Sequence, residues 1–193
     1  MTKYALCLLA LIAVPVWAMP AETLQEVASD RMQPVKARID WSLLPKDAYD
    51  EDTERGRTFV LNEGAFPATT IVPVKFKMPA PDGTGFYYSC GVFFLMPADK
   101  PRYVPIIGTG WTQADQCSGL KDIGLAPSPP KIAQLIFAYD AYTETGSLVE
   151  PVIFTWDDHL PGYALNEAAS RAVQAQPHDD ADAIRSSLAA QKR

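Results

Sequence analysis

Residues 71–96 constrain the fold of this chain more than any other stretch. Val72, Val74, Phe76 and Met78 alternate with Pro73, Lys75 and Lys77. That period of two turns one set of side chains towards a core and leaves two lysines for water. Pro81-Asp82-Gly83 follows, where Pro presets φ and Gly accepts the positive φ of a tight turn. The next run, FYYSCGVFFLM over 86–96, is apolar on both faces, the pattern of a central strand flanked on both sides. Together the runs predict an antiparallel hairpin, 71–78 against 86–96.

The rest of the chain arranges itself around that hairpin. Residues 132–142 and 148–156 read as two more strands, joined by a hairpin-length loop with Gly146 where a bulge would need it. The extended segment 102–111 contains Pro105 and two glycines, which assigns it to a sheet edge or to irregular structure. Residues 112–131 carry Cys117, Gly119, Gly124 and Pro127-Ser128-Pro129-Pro130 and read as a long surface excursion. At the start, Leu24, Val27 and Met32 give 22–32 a loosely helical spacing that Pro34 ends. Near the end, 166–173 is alanine-rich and helical with Asn166 as its cap. After Pro177, Asp179 is the expected cap of a last helix whose large apolar residues are only Ile184 and Leu188, a stripe narrow enough to fray. The expected fold class is α+β: one domain with a mainly antiparallel sheet of four to five strands, two hairpins, one disulfide and short helices at the N- and C-terminal ends.

The N-terminus reads as an address. Lys3 precedes an apolar run over 4–16 that Pro15 breaks, and Val16-Trp17-Ala18 supplies a cleavage site, so 1–18 is expected to be a signal peptide. The run is shorter than the roughly 20 apolar residues of a spanning helix, so no stable membrane anchor is expected after cleavage. Cys7 lies before the apolar run, not after it, which argues against lipidation. Its loss with the signal leaves Cys90 and Cys117, a pair suited to one disulfide in an oxidising compartment. The expected organisation is a periplasmic or secreted protein with a domain over 19–176 and a helical tail over 177–193.

Charge narrows the partners. Lys plus Arg total 17 against 23 Asp plus Glu, for a net charge of −6. Cleavage would remove one further lysine. Nucleic acid is therefore a poor partner for the chain as a whole. The negative charge concentrates at 47–54, where Asp47, Asp50, Glu51, Asp52 and Glu54 stand with no large aliphatic side chain, as in a solvated loop. Its spacing does not match a calcium loop, and no metal or other cofactor is implied. It suits a basic protein partner, because carboxylates accept arginine and single-sign charge steers encounter.

Catalytic candidates are few. The chain has two histidines. His159 follows Asp157 and Asp158 just past a strand, a place for a general acid or a metal ligand, but neighbours in extended chain point apart and turn formation accounts for the aspartates. His178 reads as a helix-start residue in the tail. Ser118 lacks the G-x-S-x-G elbow, and Cys90 and Cys117 are not spaced as a redox pair. Among the aromatics, Tyr87, Trp111 and Trp156 are placed to line a pocket or interface. The resulting expectation is a non-enzymatic protein-binding module of the cell envelope, with Asp47, Asp50, Glu51, Asp52, Glu54 and Trp111 as candidate partner contacts. In size, address and charge, though in no motif, the profile resembles that of periplasmic immunity or inhibitor proteins that neutralise envelope-targeted toxins. A structural or assembly component of an envelope machine is the alternative, and a hydrolase or metal-dependent enzyme using Asp157, Asp158 and His159 is the second.

Overall fold

The computed structural model describes residues 22–28, 31–53, 57–62, 68–97, 100–108, 111–128, 131–157, 159 and 162–191. The expected signal peptide, with Glu54 and Asp158, lies outside them. Among the described residues ten strands form two antiparallel sheets, not the single sheet of four to five strands expected. In the first, β1 (Thr23–Glu26), β3 (Phe59–Asn62), β4 (Thr69–Pro79), β5 (Phe86–Leu95) and β6 (Arg102–Ile107) follow one another, and β2 (Tyr49–Thr53) also pairs with β4. In the second, the order is β10 (Gly162–Leu165), β9 (Gly146–Asp157), β8 (Lys131–Thr143) and β7 (Gln116–Ser128).

Two sheets form because the long strands are apolar on both faces, and each face needs a cover. Ile71, Val92 and Phe94 of the first sheet share one core with Leu135, Phe137, Val152, Phe154 and Tyr163 of the second. Phe94 meets Phe154 edge to face at 5.2 Å between centroids and lies against Tyr163 at 5.8 Å. The opposite face of the first sheet, with Val72, Val74, Phe76, Phe93 and Leu95, is covered by Val35, Ile39, Trp41 and Leu44. Those residues come from the segment holding α1 (Met32–Lys36) and a 3-10 turn (Trp41–Leu43). The outer face of the second sheet, with Ile136, Ala138 and Ile153, is covered by α2 (Glu167–Gln174) and α3 (Ala181–Gln191).

The expected hairpin forms with Ile71 opposite Phe94 and Met78 opposite Tyr87, and Gly83 takes φ 73° in its turn. The second hairpin pairs β8 with β9 through Gly146, and β6 lies at the sheet edge. Cys90 and Cys117 are bonded, their Cα atoms 5.8 Å apart, and tie β5 of one sheet to β7 of the other. Asn166 caps α2, its side chain accepting from the Ala169 N–H.

Four local readings need correction. Residues 112–131 are not a surface excursion, since β7 runs through them. Register shifts at 117–119, 120–122 and 126–128 absorb the irregular residues while Leu120 and Ala126 stay buried, and Pro127 is tolerated because β7 is an edge strand. The stretch 22–32 begins as strand β1 against β3, and helix starts only at Met32. Pro34 sits inside α1 because amides of the first turn have no intrahelical acceptor to lose. Residues 49–53 of the acidic segment are strand β2, not loop. Asp180, not Asp179, accepts from the N–H of Ala183 at the start of α3. That helix packs with Ala181, Ile184 and Leu188 buried in the outer cluster of the second sheet.

Candidate binding surface

The β4–β5 hairpin reaches further than the second sheet covers it. Side chains paired directly across an antiparallel ladder share a face. Cys90 lies opposite Lys75 and faces the inter-sheet core, so Lys75, Lys77, Tyr88 and Phe86 lie on that same face towards the hairpin tip. Lys75 donates from Nζ to the backbone carbonyl of Ser118 at 2.6 Å, where β7 begins. Beyond that point the face is open. Tyr49 of β2 pairs with Lys77 and completes the row from the other side.

The outcome is a shelf of three aromatic rings and two lysines. Tyr49 and Phe86 meet edge to face at 6.5 Å, and Phe86 and Tyr88 at 5.4 Å. Lys77 Nζ stands 4.5 Å from the centre of the Phe86 ring, and Lys75 Nζ 4.2 Å from that of Tyr88. Tyr49 is 41% exposed and Phe86 47% exposed, although both are locked in this array. Each ring is braced by its neighbours, so the shelf offers aromatic area with little side-chain entropy left to lose.

The acidic strand frames the shelf and shields an otherwise open sheet edge. Asp50 has φ 52°, and the register of β2 slips between Tyr49 and Asp52, a bulge that sets Asp50 beside Lys77. Asp50 Oδ2 is 2.6 Å from Lys77 Nζ, and Asp52 Oδ1 is 3.3 Å from Lys36 Nζ. The Asp50 hydrogen bond is the main reason the Lys77 pKa lies above the usual lysine value, its negative charge adding to the effect. Charged residues on an edge strand also discourage pairing with another chain.

The other sequence candidates disperse. Asp47 and Glu51 are exposed near the shelf, but Trp111 is half-buried and packs against the inter-sheet core. Its indole Nε1 is buried and has no hydrogen-bond partner among the described residues. Asp157 accepts from the backbone N–H of exposed His159 at 2.9 Å, the aspartate turn expected on ordinary grounds. His178 is buried, with Nε2 2.7 Å from the Val173 carbonyl, contrary to its expected place in a mobile tail. Among the described residues no group of three His, Cys, Asp or Glu stands where it would hold a metal ion, and no helix is long and apolar enough to cross a membrane.

Sequence reasoning missed Tyr49, Phe86 and Tyr88 as a unit. A signal was present. Asp50 and Asp52 alternate with the same period as Lys75 and Lys77, which is the pattern of two neighbouring strands with opposite charge. Comparison with protein-family models, curated proteins and solved structures finds no match.

Proposed function

We propose that this chain is a non-enzymatic binding module of the cell envelope, exported by its N-terminal segment, that recognises another protein through the aromatic shelf. The observation that carries this reading is the exposure of Phe86 and Tyr49 within a fixed array of rings. Aromatic anchors supply much of the energy of protein interfaces when a partner desolvates them. The carboxylates of Asp47, Asp50, Glu51 and Asp52 beside the shelf favour a basic partner and speed its encounter. Within this class, an immunity or inhibitor protein directed at an envelope-targeted toxin accords best with export, acidity and a disulfide-fastened scaffold. An assembly component of an envelope machine would use the same surface.

Replacing Tyr49 and Phe86 by Ser tests the reading against a partner purified with the wild-type protein. If each ring is an anchor worth about 2 kcal/mol, affinity falls by about 30-fold or more for either substitution. Leu43→Ser is the control, since Leu43 is 42% exposed in the segment covering the opposite face of the sheet. Equal affinities for all three variants would remove the shelf as the binding face.

A further inference from the structure

The aromatic shelf already holds a cation, and that cation belongs to the chain itself. Tyr49, Lys77 and Tyr88 stand directly opposite one another across β2, β4 and β5, so their side chains leave the first sheet from one face. Phe86 lies two residues from Tyr88 along β5, on that same face. Lys77 Nζ is 4.5 Å from the centre of the Phe86 ring and 6.0 Å from the centres of the Tyr49 and Tyr88 rings. Asp50 completes the enclosure with its 2.6 Å bond to the same nitrogen. An ammonium among several ring faces, with a carboxylate as counter-charge, is the arrangement of a cation cage.

Lys77 is a removable occupant of that cage. Its side chain is 21% exposed and that of Asp50 64% exposed, so water reaches the pair and the bond between them holds weakly. The flexible four-carbon stem of a lysine lets the ammonium swing into solvent while β4 stays in place. Lys75 is different, because its bond to the Ser118 carbonyl ties it to β7 of the other sheet. The walls do not depend on Lys77 either. Phe86 is braced edge to face by Tyr49 on one side and by Tyr88 on the other.

Arginine is the side chain with most to gain from the exchange. A guanidinium is more weakly hydrated than an ammonium and lies flat against a ring. Lys77 engages only Oδ2 of Asp50, whereas a guanidinium fork engages both oxygens of a carboxylate. The exposed carboxylates of Asp47 and Glu51 nearby attract a partner of the same sign. We infer that the shelf receives an arginine of a basic partner protein, stacked on Phe86 and Tyr49 and forked onto Asp50, and that Lys77 is the internal placeholder it displaces, a refinement that rests on the shelf being the binding face.

NMR titration of the intact protein with the capped tripeptide acetyl-Gly-Arg-Gly-amide tests it, read at the ring protons of Tyr49, Phe86 and Tyr88. The lysine and citrulline counterparts of that peptide are the comparisons. Saturable shifts are expected, tighter for arginine than for lysine and absent for citrulline. Lys77→Met keeps the stem and removes the ammonium. A cage filled by its own lysine about nine-tenths of the time binds about tenfold too weakly, so this variant tightens the arginine peptide by about tenfold. Asp50→Asn weakens it by about tenfold or more, and it preserves the backbone, since Asn tolerates the φ of 52° that Asp50 adopts. Absence of saturable shifts in Lys77→Met, binding there no tighter than in the wild type, undiminished binding by Asp50→Asn, or an equal response to the lysine or citrulline peptide would each overturn the inference. The titration uses no partner, so the two readings fail separately. A partner that loses affinity with Phe86→Ser but gains none with Lys77→Met keeps the shelf as the binding face and overturns the arginine exchange. A partner indifferent to Phe86→Ser removes the shelf as the binding face, and the partner's arginine with it, whatever the peptide does.

Discussion

The Cys90–Cys117 bond crosslinks the two sheets, and its energetic weight can be worked out from the chain. The cysteines are 27 residues apart in sequence, and on the chain-entropy relation closing such a loop in the unfolded state is worth about 3.5 kcal/mol at 25 °C. For a domain of this size, each kcal/mol moves the thermal midpoint by roughly 2–4 °C, so loss of the bond should lower it by about 7–14 °C. Both cysteines are essentially inaccessible, at 0% and 1% exposed, so reduction must be carried out in denaturant. The protein is then refolded under reductant and compared with the oxidised form by urea unfolding. The comparison changes no side chain other than the bonded sulfurs, so no substitution cavity confuses it. The reduced form should also show a steeper dependence on urea, because its unfolded chain exposes more surface. A stability difference under about 1 kcal/mol with equal slopes would refute the reasoning, and would mean that packing of Phe94 against Phe154 and Tyr163 already holds the sheets together without the crosslink.

Three further outcomes follow from particular contacts. A Cβ on Gly91 would stand 2.6 Å from Tyr103 Oη, so Gly91→Ala should destabilise by about 1–3 kcal/mol in urea unfolding, through a forced shift of a ring packed on Phe93 and Phe76. Burial raises the Tyr103 pKa, and its hydroxyl has no partner among the described residues, so the folded state holds that proton more tightly than the unfolded state. Its contribution is therefore complete below the unfolded value of about 10 and is lost as pH rises beyond it; Tyr103→Phe, which removes the buried hydroxyl, should be no less stable than the wild type near neutrality and show a shallower alkaline fall in thermal midpoint. Changing Asp50, Glu51 and Asp52 to Asn, Gln and Asn breaks two exposed ion pairs, which should leave the calorimetric midpoint nearly unchanged, while stopped-flow association with a basic partner slows at low salt.

Much of the scaffold was legible because its signals are local. The alternation over 71–78, the glycine turn at Gly83 and the doubly apolar run over 86–96 each specify structure within a few residues, and all point to one hairpin. The same doubly apolar run also implied a second cover for the sheet, and reading it as one central strand undercounted the layers. β7 was hidden because Gly119, Gly124 and Pro127 resemble loop punctuation, whereas an edge strand with bulges accepts all three. The candidate surface was the least legible part. Tyr49 and Phe86 are distant in sequence and meet only because β2 pairs with β4 beside β5, a long-range choice that no local pattern records. Lysines expected merely to face water stand instead between aromatic rings, where the uncovered end of an inter-sheet face turns into a surface.

Site-specific photo-crosslinking in living cells tests the central claim most directly. A benzophenone amino acid is placed in turn at Tyr49, at Phe86 and at Leu43, and adducts are resolved by mass after irradiation. The shelf should yield one discrete protein adduct, of the same mass from Tyr49 and Phe86 and absent from Leu43. No adduct from either shelf position, or the same adduct from Leu43, would contradict the claim that this protein meets its partner at the aromatic shelf.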